Sequence, residues 1–262
     1  MKRVGEHPVP SGPLAVRWLA YEVAPPRAGA LGEARLQLEN AGRAPWQDVR
    51  LGYHWLDELG NPIVWDGLRT GLRPAESGEP VEVGATVRGP IPPGRYRLAF
   101  DLVLEDRYWF AEVGNAPLEL ALTVAPRIDR ALAAVGAEVE SQDEPLVPLK
   151  EAAAVAYLAP GCVPAPDWSR RLLDAHQEGY AVVAGSIEAG RSRALAPWAP
   201  GGGRDPAFSH ALLCPSIVKG VEPTWFDPVE GLPALEPPPP DGEPWMYDGR
   251  ITVRLRSGRR PG

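Results

Sequence analysis

The sequence predicts two domains: a β-sandwich, then a reduced α/β unit with a small parallel sheet. Three observations carry this. Between residues 12 and 125, apolar and polar residues alternate at period two in short runs separated by turn residues. After Ala125-Pro126 the pattern changes to an apolar strand-length run, a helix-period segment and a second apolar run. Proline (32) and glycine (28) are too frequent among 262 residues for long helices, while nine tryptophans and 44% hydrophobic residues exclude a disordered chain.

In the first domain the runs follow one another in order. Arg35 to Glu39 alternates. Val49, Leu51, Tyr53 and Trp55 share one face, opposed by Arg50, Gly52 and His54. Tyr96, Leu98, Phe100, Leu102 and Leu104 form the next stripe, and Leu118, Leu120, Leu122 and Val124 the last. Turn signals at Asn40-Ala41-Gly42, Leu59 to Pro62, Ser77-Gly78, Pro92 to Gly94 and Gly114-Asn115 divide them. Short strands at this spacing predict an antiparallel sandwich over 12–125. Trp46 and Trp55 fall at core parity. Trp65, Arg69 and Trp109 fall beside loops, where they either cap the sandwich or form a ligand site, because an exposed aromatic beside arginine can stack on a sugar ring. His54 reads as a solvated residue of the outward face.

The second domain spans 127–227. Arg130 to Val135 is alanine-rich and reads as a short helix, and Ala153 to Leu158 as a buried strand. Asp167 is placed to cap a helix carrying Trp168, Leu172 and His176 on one face, and Gly179 stops it. Ala181 to Ile187 is the second strand, which makes a βαβ crossover and hence a parallel sheet. His176, on the apolar face, reads as a packed core histidine. The segment 228–262 holds the extended run Pro237 to Pro240, then Trp245 to Leu255 alternating around Asp248-Gly249 as a hairpin, then an arginine-rich tail.

Both domains resemble known families. The first carries N-x-G-x-x-x-W at Asn40, Gly42 and Trp46, Y-x-W at Tyr53 and Trp55, and DGLRTGL from Asp66 to Leu72. PPGRYRL from Pro92 to Leu98 and D-L-V-x-E-x-x-x-W-F from Asp101 to Phe110 follow. From Leu38 to Leu120 this resembles an immunoglobulin-like domain attached to bacterial enzymes of envelope polysaccharide synthesis. The run from Tyr157 to Glu188, with DPAFS at Asp205 to Ser209 and WFDP at Trp225 to Pro228, resembles family-2 glycosyltransferases of the GT-A fold. That family's acidic metal-binding triplet falls on Ala159, Pro160 and Gly161, which offer no carboxylate for a divalent cation. The stretch between Arg127 and Val155 is also short for a nucleotide-binding half, and no acidic pair follows Trp225 to Pro228.

The resemblances imply a non-catalytic, glycosyltransferase-related accessory protein of bacterial surface polysaccharide synthesis that binds glycan or a partner envelope glycosyltransferase. They imply no catalytic residue, metal or cofactor. Glu188, Asp205 and His210 join Trp65, Arg69 and Trp109 as candidate ligand-binding residues, lining the former acceptor cleft. Two rivals stand beside this reading. One is an active, metal-independent glycosyltransferase with Glu188, Asp205 or Glu230 as base; the other is a structural scaffold. A net charge of −7 without a broad basic patch argues against nucleic acid. Cys162 and Cys214 lack metal-site spacing and read as buried free thiols. The opening MKRVGEHPVPSGP lacks an apolar stretch and no run is long enough to span a bilayer, so the expected location is the cytoplasm, possible membrane association being peripheral.

Overall fold

The computed structural model describes residues 1–189, 194–195, 212–229, 232–235 and 242–255. The chain divides into two units, Met1–Ala125 and Pro126–Gly262.

In the first unit, period-two alternation becomes two sheets closing on one core. One has β1 (Lys2–Arg3), β2 (Val16–Val23), β3 (Leu31–Asn40) and β7 (Pro80–Arg88) side by side in that order. The other runs β10 (Leu118–Val124), β8 (Gly94–Leu104), β4 (Val49–Leu56) and β5 (Pro62–Val64), with β6 (Thr70–Gly71) also on β4 and β9 (Tyr108–Trp109) on β8. All these pairings are antiparallel. Leu36 and Leu38 of β3 and Val81 and Val83 of β7 meet Leu51, Tyr53 and Trp55 of β4 and Leu98, Phe100 and Leu102 of β8 in one cluster. Each such side chain contributes about 1.5–3 kcal/mol on leaving water.

Polar groups tie the layers together. The Trp55 indole donates to the Arg88 carbonyl at 2.8 Å, and the Tyr53 hydroxyl accepts the Arg88 N–H at 2.9 Å. The first residue of the N-x-G motif, Asn40, is fully buried: its amide donates to the Ala44 and Ala75 carbonyls and accepts the Gly42 N–H. That motif is therefore a loop fastener. β7 forms the outer edge of its sheet. At its start, Arg73 donates to the Pro80 carbonyl at 2.6 Å.

The second unit corrects the predicted fold class. It is not an α/β unit with a parallel sheet, because its sheets are mixed or antiparallel and its described residues hold one α-helix. The strands are β11 (Leu132–Val135), β12 (Ala154–Tyr157), β13 (Cys162–Pro164), β14 (Val182–Ala189), β15 (Ala194–Leu195), β16 (Leu212–Leu213), β17 (Ser216–Val218), β18 (Trp225–Val229), β19 (Leu232–Leu235) and β20 (Trp245–Leu255). The large sheet runs β11-β12-β17-β14-β20-β13, with β15 on β14, and the small one runs β16-β19-β18. The two apolar runs, β12 and β14, do not pair. β17 lies between them, antiparallel to both.

The physical reason lies in what a continuous apolar run encodes. It reports burial on both faces but not what covers each face. Ala154, Ala156, Val183 and Ile187 pack in a cluster with Trp168, Leu172 and Leu173 of α1 (Trp168–Glu178), whereas Val182 and Ala184 pack with Leu212 and Leu235 of the small sheet. A second sheet takes the place of the helices that a doubly covered parallel sheet would have.

Other expectations are corrected in the same unit. Leu132–Val135 is a strand parallel to β12, not part of a helix. Asp167 precedes α1 without a side-chain cap, and its carboxylate pairs instead with Arg171 at 2.5 Å. Trp245–Leu255 is a single strand parallel to β14, bulged where the hairpin turn was expected. The bulge presses the Ile251 carbonyl against Gly185, where a Cβ would stand 1.9 Å from that oxygen. The Pro237 to Pro240 run and the arginines beyond Leu255 lie outside the described residues.

Candidate functional site

The outward face of the six-stranded sheet carries a layered aromatic cluster. Its base is a missing side chain. Gly52 shares the outward parity of β4 with Arg50 and His54, and a Cβ there would lie 2.7 Å from the Trp109 ring. The bare backbone thus forms the seat on which the Trp109 indole lies. β9 delivers that indole by pairing Trp109 with Val103 of β8.

Asp101 holds the turn that follows. It stands opposite Gly52 in the ladder and is 1% exposed. Its carboxylate accepts the Leu102 N–H at 2.7 Å and the Ala111 N–H at 3.2 Å, which anchors the 3₁₀ turn Phe110–Val113. Burial pushes its pKa up to about 7, against the pull of those two N–H donors. Between the ordinary carboxylate value of 3.8 and about 7 the folded protein therefore binds more protons than the unfolded chain. Stability is expected to fall as pH rises through that window, by about 1.4 kcal/mol per pH unit at most. Asp101→Asn should flatten the slope in urea titrations of the full chain at pH 4.5, 5.5 and 6.5. An unchanged slope would assign the dependence to another group.

Three more side chains complete the cluster. The Arg69 guanidinium lies 5.1 Å from the centre of the Trp109 ring. Its fork is occupied by Asp66, at 2.9 and 3.0 Å from Nη2, and by Glu105, which also pairs with Arg50 at 3.2 Å. Asp66 above all, and then Glu105, raise the Arg69 pKa further. His54 sits between two indoles. Trp65 stacks on it at 4.3 Å and 20°, and Trp109 meets it edge-on at 4.4 Å and 63°. The His54 Nδ1–H donates to the Trp65 carbonyl, and burial lowers its pKa, which favours the neutral ring.

His54 is thus 4% exposed, not the solvated residue that its parity suggested. Its cover comes from residues distant in sequence. Trp65 closes the stack and is 57% exposed, with Ile63, Leu68 and Leu59 exposed nearby in sequence.

The structure therefore brings Trp65, Arg69 and Trp109 together, and adds His54, Asp66, Glu105 and Gly52. One signal for the additions was present in the sequence: a glycine inside an alternating strand marks a close approach. Glu188 is placed in the other unit, on β14, 3.6 Å from Arg254 across the ladder. Asp205, His210 and Glu230 lie outside the described residues. The described cluster holds no nucleophile–base pair: its carboxylates are spent on arginines and its histidine on a backbone carbonyl. What it offers is a flat apolar surface with charged groups at the rim. No helix among the described residues is long and apolar enough to cross a membrane.

Fold and site define a β-built protein of two units, the first carrying a buttressed tryptophan. No protein-family model matches the chain, and no curated protein matches it. Among solved structures, the C-terminal domain of Wzt is similar with 11% identity and a TM-score of 0.33, over 45% of this chain and 77% of that one. A β-glucosidase involved in saponin metabolism from intestinal bacteria shows 12% identity and a TM-score of 0.30, over 43% of this chain. The β-glucosidase of Listeria innocua in complex with glucose shows 11% identity and a TM-score of 0.27, over 42%. The chain spans 16% of each of these two β-glucosidases.

Proposed function

We propose that the protein is a non-catalytic carbohydrate-binding accessory protein of bacterial surface-glycan synthesis, with Trp65 as its sugar platform. The observation that carries this reading is an indole 57% exposed yet backed by a stacked, hydrogen-bonded imidazole. A tryptophan fixed from behind loses little conformational freedom when a ring settles on its outer face. The apolar face of a pyranose meets the indole, while the Asp66 carboxylate and the Arg50 guanidinium, each about half exposed, are hydroxyl partners at the rim. Opposed charges in the Arg50, Arg69, Asp66 and Glu105 group favour a neutral sugar over a strongly anionic one.

A second reading rests on the exposed Leu59, Ile63 and Leu68, which suit a protein partner on the same loops. A glycan array of bacterial surface polysaccharides separates the two. The carbohydrate reading expects retention by the wild type and an affinity lower by about tenfold or more in Trp65→Ala, since one aromatic anchor contributes at least about 1.4 kcal/mol. Retention of no glycan by the wild type removes it and leaves the protein-docking reading. Trp65→Ala is expected to keep the sandwich fold, because Trp65 lies outside its core cluster, although it uncovers one face of His54.

A further inference from the structure

One edge of the sandwich is only partly filled. β10 ends the order of its six-stranded sheet, and among the described residues no strand lies beyond it. Its C-terminal end alone is covered. There the Ala28 N–H donates to the Ala125 carbonyl at 2.9 Å, and the Ala125 N–H donates to the Pro26 carbonyl at 3.0 Å. These two bonds fix the direction of the backbone groups along the strand. Those of Ala125 point away from β8, and β10 pairs with β8 from Leu118 to Val124 without a bulge. Direction alternates from residue to residue, so the N–H and C=O of Glu119, Ala121 and Thr123 also point outward from the edge. A groove of about 440 Å³ borders Glu119 to Leu122, and its other wall includes Met1, Lys2 and Tyr21.

We propose that this edge pairs with the same edge of a second copy, antiparallel about a two-fold axis at Ala121. The register follows from which groups are free. With Ala121 opposite the partner's Ala121, Glu119 stands opposite the partner's Thr123, and every outward backbone group from Glu119 to Thr123 finds a partner. Charge agrees with this register, because no carboxylate faces its own copy. The inward side chains agree too. Leu120 faces the partner's Leu122, which is only partly buried within one copy. Both ends of the ladder close together. Pro117, which has no N–H, falls opposite the partner's Ala125, whose two groups are already taken. Sliding the ladder by two residues either way brings Pro117 or Ala125 into a rung and loses bonds. The paired sheets keep one outward face, so both Trp65 clusters lie on the same side. On the glycan reading above, that presents two platforms to one polysaccharide.

The test is sedimentation of the full chain over a dilution series, which is expected to show a dimer that dissociates. Ala121→Pro removes the central donor but no bond to β8, because that N–H points outward, and proline is tolerated on such an edge. Its dissociation constant is expected to rise by about tenfold or more, since the two-fold axis doubles the loss. Engineered cysteines read the register even if that variant unfolds. Under mild oxidation Ala121→Cys is expected to link to itself, and Glu119→Cys to link to Thr123→Cys in a mixture but not to itself. The wild type is the control for Cys162 and Cys214, which are 2% and 5% exposed. A chain that stays monomeric at every concentration overturns the proposal. A dimer that a folded Ala121→Pro leaves equally tight also overturns it, as does Glu119→Cys linking to itself as fast as to Thr123→Cys. None of these readouts depends on glycan binding.

Discussion

Acidification from pH 6.5 toward pH 4 is expected to loosen the second unit, and His176 is the group responsible. The imidazole is fully buried between α1 and β17. Its Nδ1–H donates to the Tyr180 carbonyl at 2.8 Å, and its Nε2 accepts the Ser216 hydroxyl proton at 2.8 Å. Burial, with a smaller push from Arg127, lowers its pKa from 6.5 to about 4. Between those values the unfolded chain binds the proton and the folded chain does not, so stability rises with pH. The contribution is complete above pH 6.5 and is lost as pH falls to about 4. It amounts to about 3 kcal/mol over the window.

Hydrogen exchange on the full chain is the suitable measurement, because it reads the amides of α1 and β17 separately from the first unit. His176→Leu is expected to abolish the acid slope while costing about 2–4 kcal/mol at neutral pH, since it orphans a buried hydroxyl and a buried carbonyl. A slope that survived in the variant would place the acid sensitivity elsewhere. Asp101 in the first unit responds in the opposite sense, so exchange protection in the two units is expected to shift in opposite directions on acidification.

Gly52→Val should dismantle the aromatic stack without touching any of its rings. The new Cβ would stand 2.7 and 2.8 Å from two Trp109 ring atoms, and the valine methyls would reach further. The indole must leave its seat, which draws it away from Arg69 and from the edge of His54. Overpacking of this kind costs about 1–3 kcal/mol. The sharper readout is binding: any glycan retention that depends on Trp65 should fall along with Trp109, although Trp65 is unchanged. Gly52→Val combined with Trp109→Ala is expected to recover part of the stability, because the clash and the ring are removed together. Strictly additive losses would mean that the two residues do not meet as the structure shows.

How much of this was legible in the sequence differs between the units. In the first, Leu51, Tyr53 and Trp55 declared their shared face by parity, because that face is uniformly apolar whereas the opposite one mixes Arg50, Gly52 and His54. In the second, Ala154 to Tyr157 and Val182 to Ile187 are apolar on both faces, so parity is silent about neighbours. The short Ser216–Val218 strand that separates them carries little pattern of its own. At the site, Trp65, Arg69 and Trp109 stood out as aromatic and cationic residues beside loops. His54 did not, because its burial is created by Trp65 and Trp109, and no local pattern announces a cover that arrives from elsewhere in the chain. The occupation of Arg69 by Glu105 was hidden for the same reason.

The outer strand β7 bears on how copies of the molecule behave at high concentration. A free strand edge is a template on which another chain can extend a ladder. Here both ends of that template are already taken. Arg73 holds the Pro80 carbonyl, and the Tyr53 hydroxyl holds the Arg88 N–H. Proline supplies no donor at the first position, and the carboxylate of Glu82 lies in the stretch between. An incoming strand therefore meets an edge blocked at both ends and charged in between, which is expected to slow edge-to-edge pairing as concentration rises.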